Sequence, residues 1–453
     1  MNNVYIINAD TYEYNNKNTF NPSNKYKEGL NIRIKSDQVV YDKVRQLFVD
    51  MKLDYKNINT KNWNPFSTFI KKGDKVVIKP NLVLDYNACK TGTTDSLITN
   101  FAVIRPIIDY CILAVGTTGE IIVGDAPVQE CNFEKVIEID GLADAINIYK
   151  KHGYNIKLLD FRKNQNDTAN CRVVSLDKDS SFCEVDQYDY KYAITNYSLD
   201  DMHQHHSNGK HEYLISQDVL NADVIINLPK PKVHRKAGMT ACMKNFVGIN
   251  SKKEYLPHHR SGSVANNGDE FPEKSIIKEM ESKLKQLSYK KSFIINTIRK
   301  GFKFIMNITH KSKYLEGSWY GNDTIWRTIL DIDKIVLYCD KNGKMKRNKQ
   351  RAVLNLCDMI ISGEKEGPLL PTDKKVGLLI CGFNMYSVDM EISKIMGFNY
   401  KKIKYLSNCG KLKKFKISNE DYKLVIDGVE SDSNPINKKF IPSEGWDGFI
   451  NKK

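Results

Sequence analysis

The chain has 453 residues, 41 % of them hydrophobic and 27 % charged, with 69 Lys and Arg against 54 Asp and Glu for a net charge of +15. This is the composition of a globular protein with ample material for a core, in two or three domains or one large domain with insertions. The basic balance favours anionic partners such as phosphates, nucleic acid or acidic lipid, although a Lys-, Asn- and Ile-rich chain is also what an AT-rich genome encodes.

None of the ten cysteines forms a C-x-x-C pair, and most lie in apolar runs, as Cys357 and Cys381 do. That is the pattern of free, buried thiols in a reducing compartment. The closely spaced thiolates of an iron–sulfur cluster or a structural zinc site are missing, so no iron–sulfur cluster is expected. Residues 1–16 lack the basic and apolar regions of a signal peptide, and no run reaches the roughly 18 apolar residues of a membrane span. The expected location is the cytoplasm.

In chain order, 36–52 has the apolar spacing of an amphipathic helix. Residues 74–83 read as a buried strand ending at Pro80-Asn81. The stretch 96–115 is a predicted helix capped by Asp95 or Ser96. A strand at 120–127, a helix at 133–152 and a strand at 155–160 follow. Residues 161–215 are polar, with a weak pattern of irregular strands. Residues 218–234 give a helical turn, a strand at 224–228 and a Pro-broken basic loop, and 240–249 reads as a helix beginning under that loop. A loop occupies 251–272. The basic, amphipathic stretch 273–315 is suited either to an anionic membrane surface or to packing on the body of the protein. A turn at 341–344, a helix at 350–361, a loop at 362–371, a strand at 376–383 and a helix at 387–396 complete the pattern, with a strand-like piece at 422–427.

The alternation of strands and helices predicts an α/β fold, mainly a parallel sheet with helices on both faces, carrying inserted irregular and helical segments. The segments are an N-terminal extension with a helix (1–69), an α/β core with basic strand-end loops (70–250), a loop and basic helical insertion (251–316), a second α/β part (317–410) and a polar C-terminal tail (411–453).

The densest constellation is Lys230-Pro231-Lys232-Val233-His234-Arg235-Lys236, followed by Thr240 and Lys244-Asn245. Pro229 and Pro231 keep this loop extended. Ligands bind at strand ends in open α/β sheets, and cations beside a helix N-terminus make an anion pocket. A lysine among other cations has a lowered pKa and serves as base or nucleophile, and a histidine shuttles protons near neutral pH. Lys232, His234 and Lys244 are therefore the candidate catalytic residues. Candidate substrate-binding residues are Lys79, Asn81, Asp125, Lys230, Thr240, Asn245, His259, Arg260 and Glu364. The bland alternative is a basic surface loop with a solvated histidine. His203, His205, His206 and His211 have a spacing suited to metal but sit in a region that reads as a solvated loop. Asp331, Asp340, Asp358, Glu364 and Asp389 punctuate the second half, and carboxylates from different strand ends can pair for acid/base work or metal binding. The commonest nucleotide-binding and hydrolase motifs are absent.

The strings IKPNLV (78–83), TTD (93–95), VGDAP (123–127), ADVIINLPKPKVH (222–234) and TACMKNFVGI (240–249) resemble the motifs of the domain of unknown function 362 family. Residues 317–335, 363–371 and 388–398 resemble its longer form, often found beside surface-polysaccharide genes. Many relatives carry an appended ferredoxin-type cluster domain, whose cysteines are missing here. A more distant likeness is to the lactate racemase family, whose members hold a basic site between α/β halves. The expected function is an enzyme binding a small anionic substrate, a phosphorylated or lipid-linked sugar, in surface-polysaccharide biosynthesis. The alternatives are a redox or racemase-like cofactor protein, or a non-catalytic protein that contacts a membrane surface through 273–315. The cofactor is left open. No nucleic-acid motif is present, so nucleic acid is not an expected partner.

Overall fold

The structure, a computed structural model, describes residues 3–14, 19–32, 34, 36–139, 141–162, 170–187, 190–194, 197–288 and 314–452. Eleven strands form its main sheet: β1 (Val4–Asn8), β2 (Lys75–Pro80), β3 (Glu120–Asp125), β4 (Ile156–Asp160), β5 (Val224–Leu228), β6 (Lys232–His234), β7 (Gly238–Thr240), β8 (Ala352–Glu366), β9 (Leu370–Gly382), β10 (Leu424–Ile426) and β11 (Val429–Ser431). The order is β11-β10-β1-β9-β8-β5-β2-β3-β4, and the β6–β7 hairpin joins the far part of β8. Strands β8, β5, β2, β3 and β4 are mutually parallel. β9 runs antiparallel to both β8 and β1, so the sheet is mixed but mostly parallel, and the fold is α/β.

The principal helices are α1 (Val39–Asp50), α2 (Phe101–Val115), α3 (Phe133–Glu138), α4 (Leu142–Lys151), α5 (Cys242–Asn245), α6 (Ile276–Ser288), α7 (Ile325–Tyr338), α8 (Met385–Met396) and α9 (Lys404–Cys409). Successive strand side chains point to opposite faces, and each face meets its own set of helices. On β2, Val76 and Ile78 pack with residues of α1–α4, whereas Val77 packs with residues of α5 and α7–α9. The expected helices on both faces are present. Segments from the N-terminal extension and the C-terminal tail enter the same sheet, as β10 pairs in parallel with β1.

Several predicted elements differ. The helix expected at 350–361 and the first half of the loop expected at 362–371 are the single strand β8. The apolar run from Ala352 to Ile361 is nearly continuous, a pattern that suits a strand buried on both faces as well as a helix. Pairing to β5 on one side and β9 on the other decides it. The helix expected over 133–152 is two, α3 and α4, broken at Gly141, whose φ of 76° no interior helical residue adopts. The helix expected from residue 96 starts at Phe101, where the side chain of Asn100 accepts from the Ala102 N–H at 2.9 Å. Asp95 and Ser96 instead belong to a 3₁₀ turn capped by Thr93.

The basic amphipathic stretch begins as α6, with Ile276 and Met280 exposed one turn apart. Residues 289–313 of that expectation lie outside the described residues. No helix among the described residues is long and apolar enough to cross a membrane.

Arg351, just before β8, is buried and ties the helical layer to the sheet. Its guanidinium donates to the carbonyls of Leu220, Ala222, Val336 and Cys339 at 2.6–3.3 Å. Charge-assisted hydrogen bonds contribute about 1.5–3 kcal/mol, and orphaned buried carbonyls carry a further cost. Arg351→Leu is expected to destabilise the protein by about 3 kcal/mol, read as a lowered urea midpoint with unchanged m-value.

Candidate functional site

The parallel strands β2, β3 and β5 deliver their carboxyl ends to one side of the sheet. Beside them lies a cleft of about 290 Å³ lined by Asn81, Asp125, Lys232, His234, Thr240, Lys244 and Asn245 among others. The strand-end loops expected to meet do meet. Lys79, at the end of β2, is fully buried and pairs with Asp125, at the end of β3, at 2.7 Å. The other Asp125 oxygen accepts from the Leu82 N–H at 2.7 Å.

A chain of buried asparagines connects this pair to the sheet. Asn81 donates to Asn245 (2.9 Å), Asn245 to Asn227 (2.8 Å), Asn227 to Asn355 (2.8 Å) and Asn355 to the Gly382 carbonyl (3.0 Å). It runs through β5, β8 and β9 and fixes α5 against the strand ends. Lys232, on β6, donates to Asn81 Oδ1 (2.6 Å) and to the Leu97 carbonyl.

The amino groups carry the electrostatics. Burial lowers Lys232 well below the usual lysine range, and Lys230 and Lys244 add to the fall. Burial takes Lys253 down to about 8, and its amine donates to the Ala126 carbonyl at 2.9 Å. Lys244 stands apart. Its amine has no hydrogen-bond or ion-pair partner among the described residues, and burial with the nearby Lys253 lowers it to about 7. Of the carboxylates lining the cleft, Asp125 is committed to Lys79, and Glu130 lies at the exposed edge.

Two histidines face the cleft, both held neutral. Burial, then Lys244 and His258, keeps His234 well below the usual histidine range; burial, then Lys236 and Lys244, does the same for His258. His234 Nδ1 accepts from the Lys236 and Ala237 N–H groups at 3.1 and 3.2 Å, so the ring proton sits on Nε2. His258 Nδ1 lies 2.7 Å from the Leu256 carbonyl and must donate to it, so its Nε2 is an acceptor. The cleft is thus offered one donor and one acceptor of fixed tautomer. This corrects the expected role of His234 as a shuttle titrating near neutral pH.

A second expectation is also corrected. The N-terminus of α5 is not open to an anion. Its Cys242 and Met243 N–H groups donate to Asp389 of α8 at 2.7 and 3.1 Å.

Other candidates sit elsewhere. Lys230 forms a buried pair with Asp358 at 2.9 Å and donates to the Tyr14 hydroxyl at 2.7 Å. His259 lies 3.5 Å from the Lys236 amine, and Arg260 packs over the Tyr190 ring and pairs with Asp323 at 3.4 Å. Glu364 accepts from the Ile441 N–H at 3.0 Å and pairs with Lys374. None of these four lines the cleft. His206 and His211 are buried rather than solvated, 3.2 Å apart through Nδ1, with His211 on Asp186 at 2.8 Å. Among the described residues, no three His, Cys, Asp or Glu side chains are grouped as metal ligands. Sequence reasoning missed Lys253, Tyr86, Tyr197 and the turn residues Pro368 and Leu369, all of which line the cleft.

The sequence profile described as "Domain of unknown function (DUF362)" matches residues 76–394, which span β2 to α8 and hold every cleft residue named above. The chain belongs to the DUF362 family. No curated protein gives a significant match. A solved structure of a Thermotoga maritima protein, a structural genomics target, is similar at 10 % identity with a TM-score of 0.30, over 77 % of this chain and 58 % of that one. This chain therefore spans little more than half of that protein's length.

In this DUF362 chain Gly248 closes the floor of the cleft. A Cβ there would lie 2.2 Å from Asp125 Oδ1 and 2.9 Å from the Lys79 amine. Gly248→Ala must push the ion pair apart. A destabilisation of about 1–3 kcal/mol is expected, as for other overpacked sites, measured by urea unfolding. Gly153→Ala, where a Cβ meets nothing within 4 Å but φ is +83°, separates overpacking from backbone strain.

Proposed function

We propose that the cleft is the active site of an enzyme that binds a small anionic substrate and moves protons on it. The observation that carries this reading is Lys244: an amine without a partner among the described residues, lowered to about 7, among other lysines and with Asp125, the buried carboxylate lining the cleft, already taken by Lys79. A surplus of buried amino groups is costly in the free protein, and an incoming anion relieves that cost. In this reading Lys232, Lys244 and Lys253 receive the anion, with Thr240, Asn81 and Asn245 as neutral partners. His234 Nε2–H donates to the developing negative charge, and His258 Nε2 accepts a proton. Groups held at different protonation states in one site are what acid/base chemistry near pH 7 requires.

The volume narrows the substrate. A cleft of about 290 Å³ lies at the small end of ligand pockets. It suits a phosphorylated or carboxylated metabolite; of a lipid-linked sugar it would hold only the phosphate end. Val83, Leu84, Val128, Ile194 and Leu256 form an apolar wall for the rest of the ligand.

The pH dependence follows in sign. Lys253 and Lys244 bind an anion in their charged forms, and in the free protein they lose those charges near 8 and 7. The anion raises both values, so binding takes up protons and weakens as pH rises through 7 and 8. Sulfate keeps its own charge over this range and serves as the probe. Isothermal titration is expected to show affinity falling between pH 6 and pH 9, with proton uptake at pH 7.5. Lys232→Ala is expected to weaken sulfate about tenfold or more, the loss of one charge-assisted hydrogen bond. Sulfate binding that is unchanged in Lys232→Ala and flat with pH would defeat the anion reading.

A further inference from the structure

We infer that Lys244 is a covalent nucleophile, forming an imine with a carbonyl compound that carries an anionic group. The inference rests on the anion-binding reading of the cleft and deepens it by naming the substrate class.

Four lysines stand near one another, and the structure gives three of them a task. Lys79 neutralises Asp125, Lys232 braces Asn81 and the Leu97 carbonyl, and Lys253 braces the Ala126 carbonyl. Lys244 braces nothing among the described residues and is only partly buried, in the wall of the cleft. A lysine kept only for structure is tied to an acceptor in the protein. One that must attack needs its lone pair free, and desolvation next to other cations is how a lysine becomes a nucleophile at neutral pH.

The neighbours suit the reaction. The His234 tautomer is fixed by two backbone N–H groups, so its Nε2–H is a permanent donor on a ring that stays neutral. A neutral donor polarises a carbonyl oxygen without supplying a proton that would quench the amine. His258 Nε2 is a fixed acceptor.

The step balances. The Lys244 lone pair forms a bond to the carbonyl carbon, and the C=O π pair moves to oxygen, which His234 stabilises. His258 takes a proton from the attacking nitrogen and relays it to the oxygen. The carbinolamine then expels that oxygen as water, the nitrogen losing its second proton, and the C=N bond forms. One amine and one carbonyl give one imine and one water, with no change of oxidation state.

Reductive trapping tests this on the full chain. The protein is incubated at pH 7 with sodium cyanoborohydride and either pyruvate or glyceraldehyde 3-phosphate, then mapped by peptide mass spectrometry. The two probes distinguish a carboxylate from a phosphate as the anionic group. The expected result is an adduct on Lys244 forming at least about tenfold faster than on the exposed Lys178, because the neutral fraction of an amine near 7 far exceeds that of an ordinary lysine. Peptide mapping assigns the site within the wild-type protein, and Lys244→Arg is expected to lose the adduct. Labelling confined to exposed lysines, or labelling of Lys244 no faster than of Lys178 with both probes, overturns the inference. If sulfate binding persists in that case, the anion site stands and only the imine is wrong. If Lys244 is labelled without sulfate binding, the imine stands and the anion reading falls.

Discussion

Several lysine amines share one cleft, and how each of them is answered organises this site. Lys79 is given a carboxylate, and the pair it makes with Asp125 joins the ends of β2 and β3. Lys232 and Lys253 are given carbonyl oxygens, which stabilise an amine less than a charge does and so leave both lowered. Lys244 is given no partner among the described residues. Burial lowers all four amines, Lys232 the furthest, so the pairing partners do not rank their protonation; what they fix is where each amine points.

The asparagine chain explains how that geometry is held. An ion pair alone tolerates some sliding, because Coulomb attraction has little angular preference. Asn245 donates to Asn227 and the Lys79 carbonyl, Asn227 to Asn355 and the Cys242 carbonyl, and Asn355 to the Gly382 carbonyl, so the acceptors lie on several elements. A shift of α5 along the sheet would break several directional bonds at once among buried groups, where each lost bond is expensive. The short helix that carries Lys244 and Asn245 is held at its other end by Asp389, whose carboxyl burial pushes up to about 7.

Much of the fold was legible in the sequence. The strands at 74–83, 120–127, 155–160 and 224–228 are found and are parallel to one another; the strand at 376–383 is also found but runs antiparallel, as part of β9. The helix expected at 350–361 failed because an apolar run buried on both faces has no period to read. That Lys232, His234, Thr240, Lys244 and Asn245 would come together was legible because cations cluster where a strand ends, and they line one cleft. Lys230 misled for the same reason: its charge is spent on Asp358, 128 positions away, and no local pattern announces such a partner. Lys253 was invisible because it is one lysine of two in a polar stretch. A usable signal was passed over in Asn227 and Asn355. An amide inside an apolar strand has to be hydrogen-bonded, and both point to the network under the cleft.

The placement of β1 and β10 has a consequence for what the DUF362 segment is on its own. Residues 76–394 include β9 but neither of the strands that cover its outer side. β9 spans 13 residues and pairs with β1 at five positions, from Gly382 to Leu378. A chain trimmed to the matched segment would present that row of backbone N–H and C=O groups unpaired, on an apolar strand, which is a template for strands from other molecules. In this chain β1 covers that stretch of β9, and β10 pairs with β1 beyond it, so the edge of the matched segment lies inside the sheet.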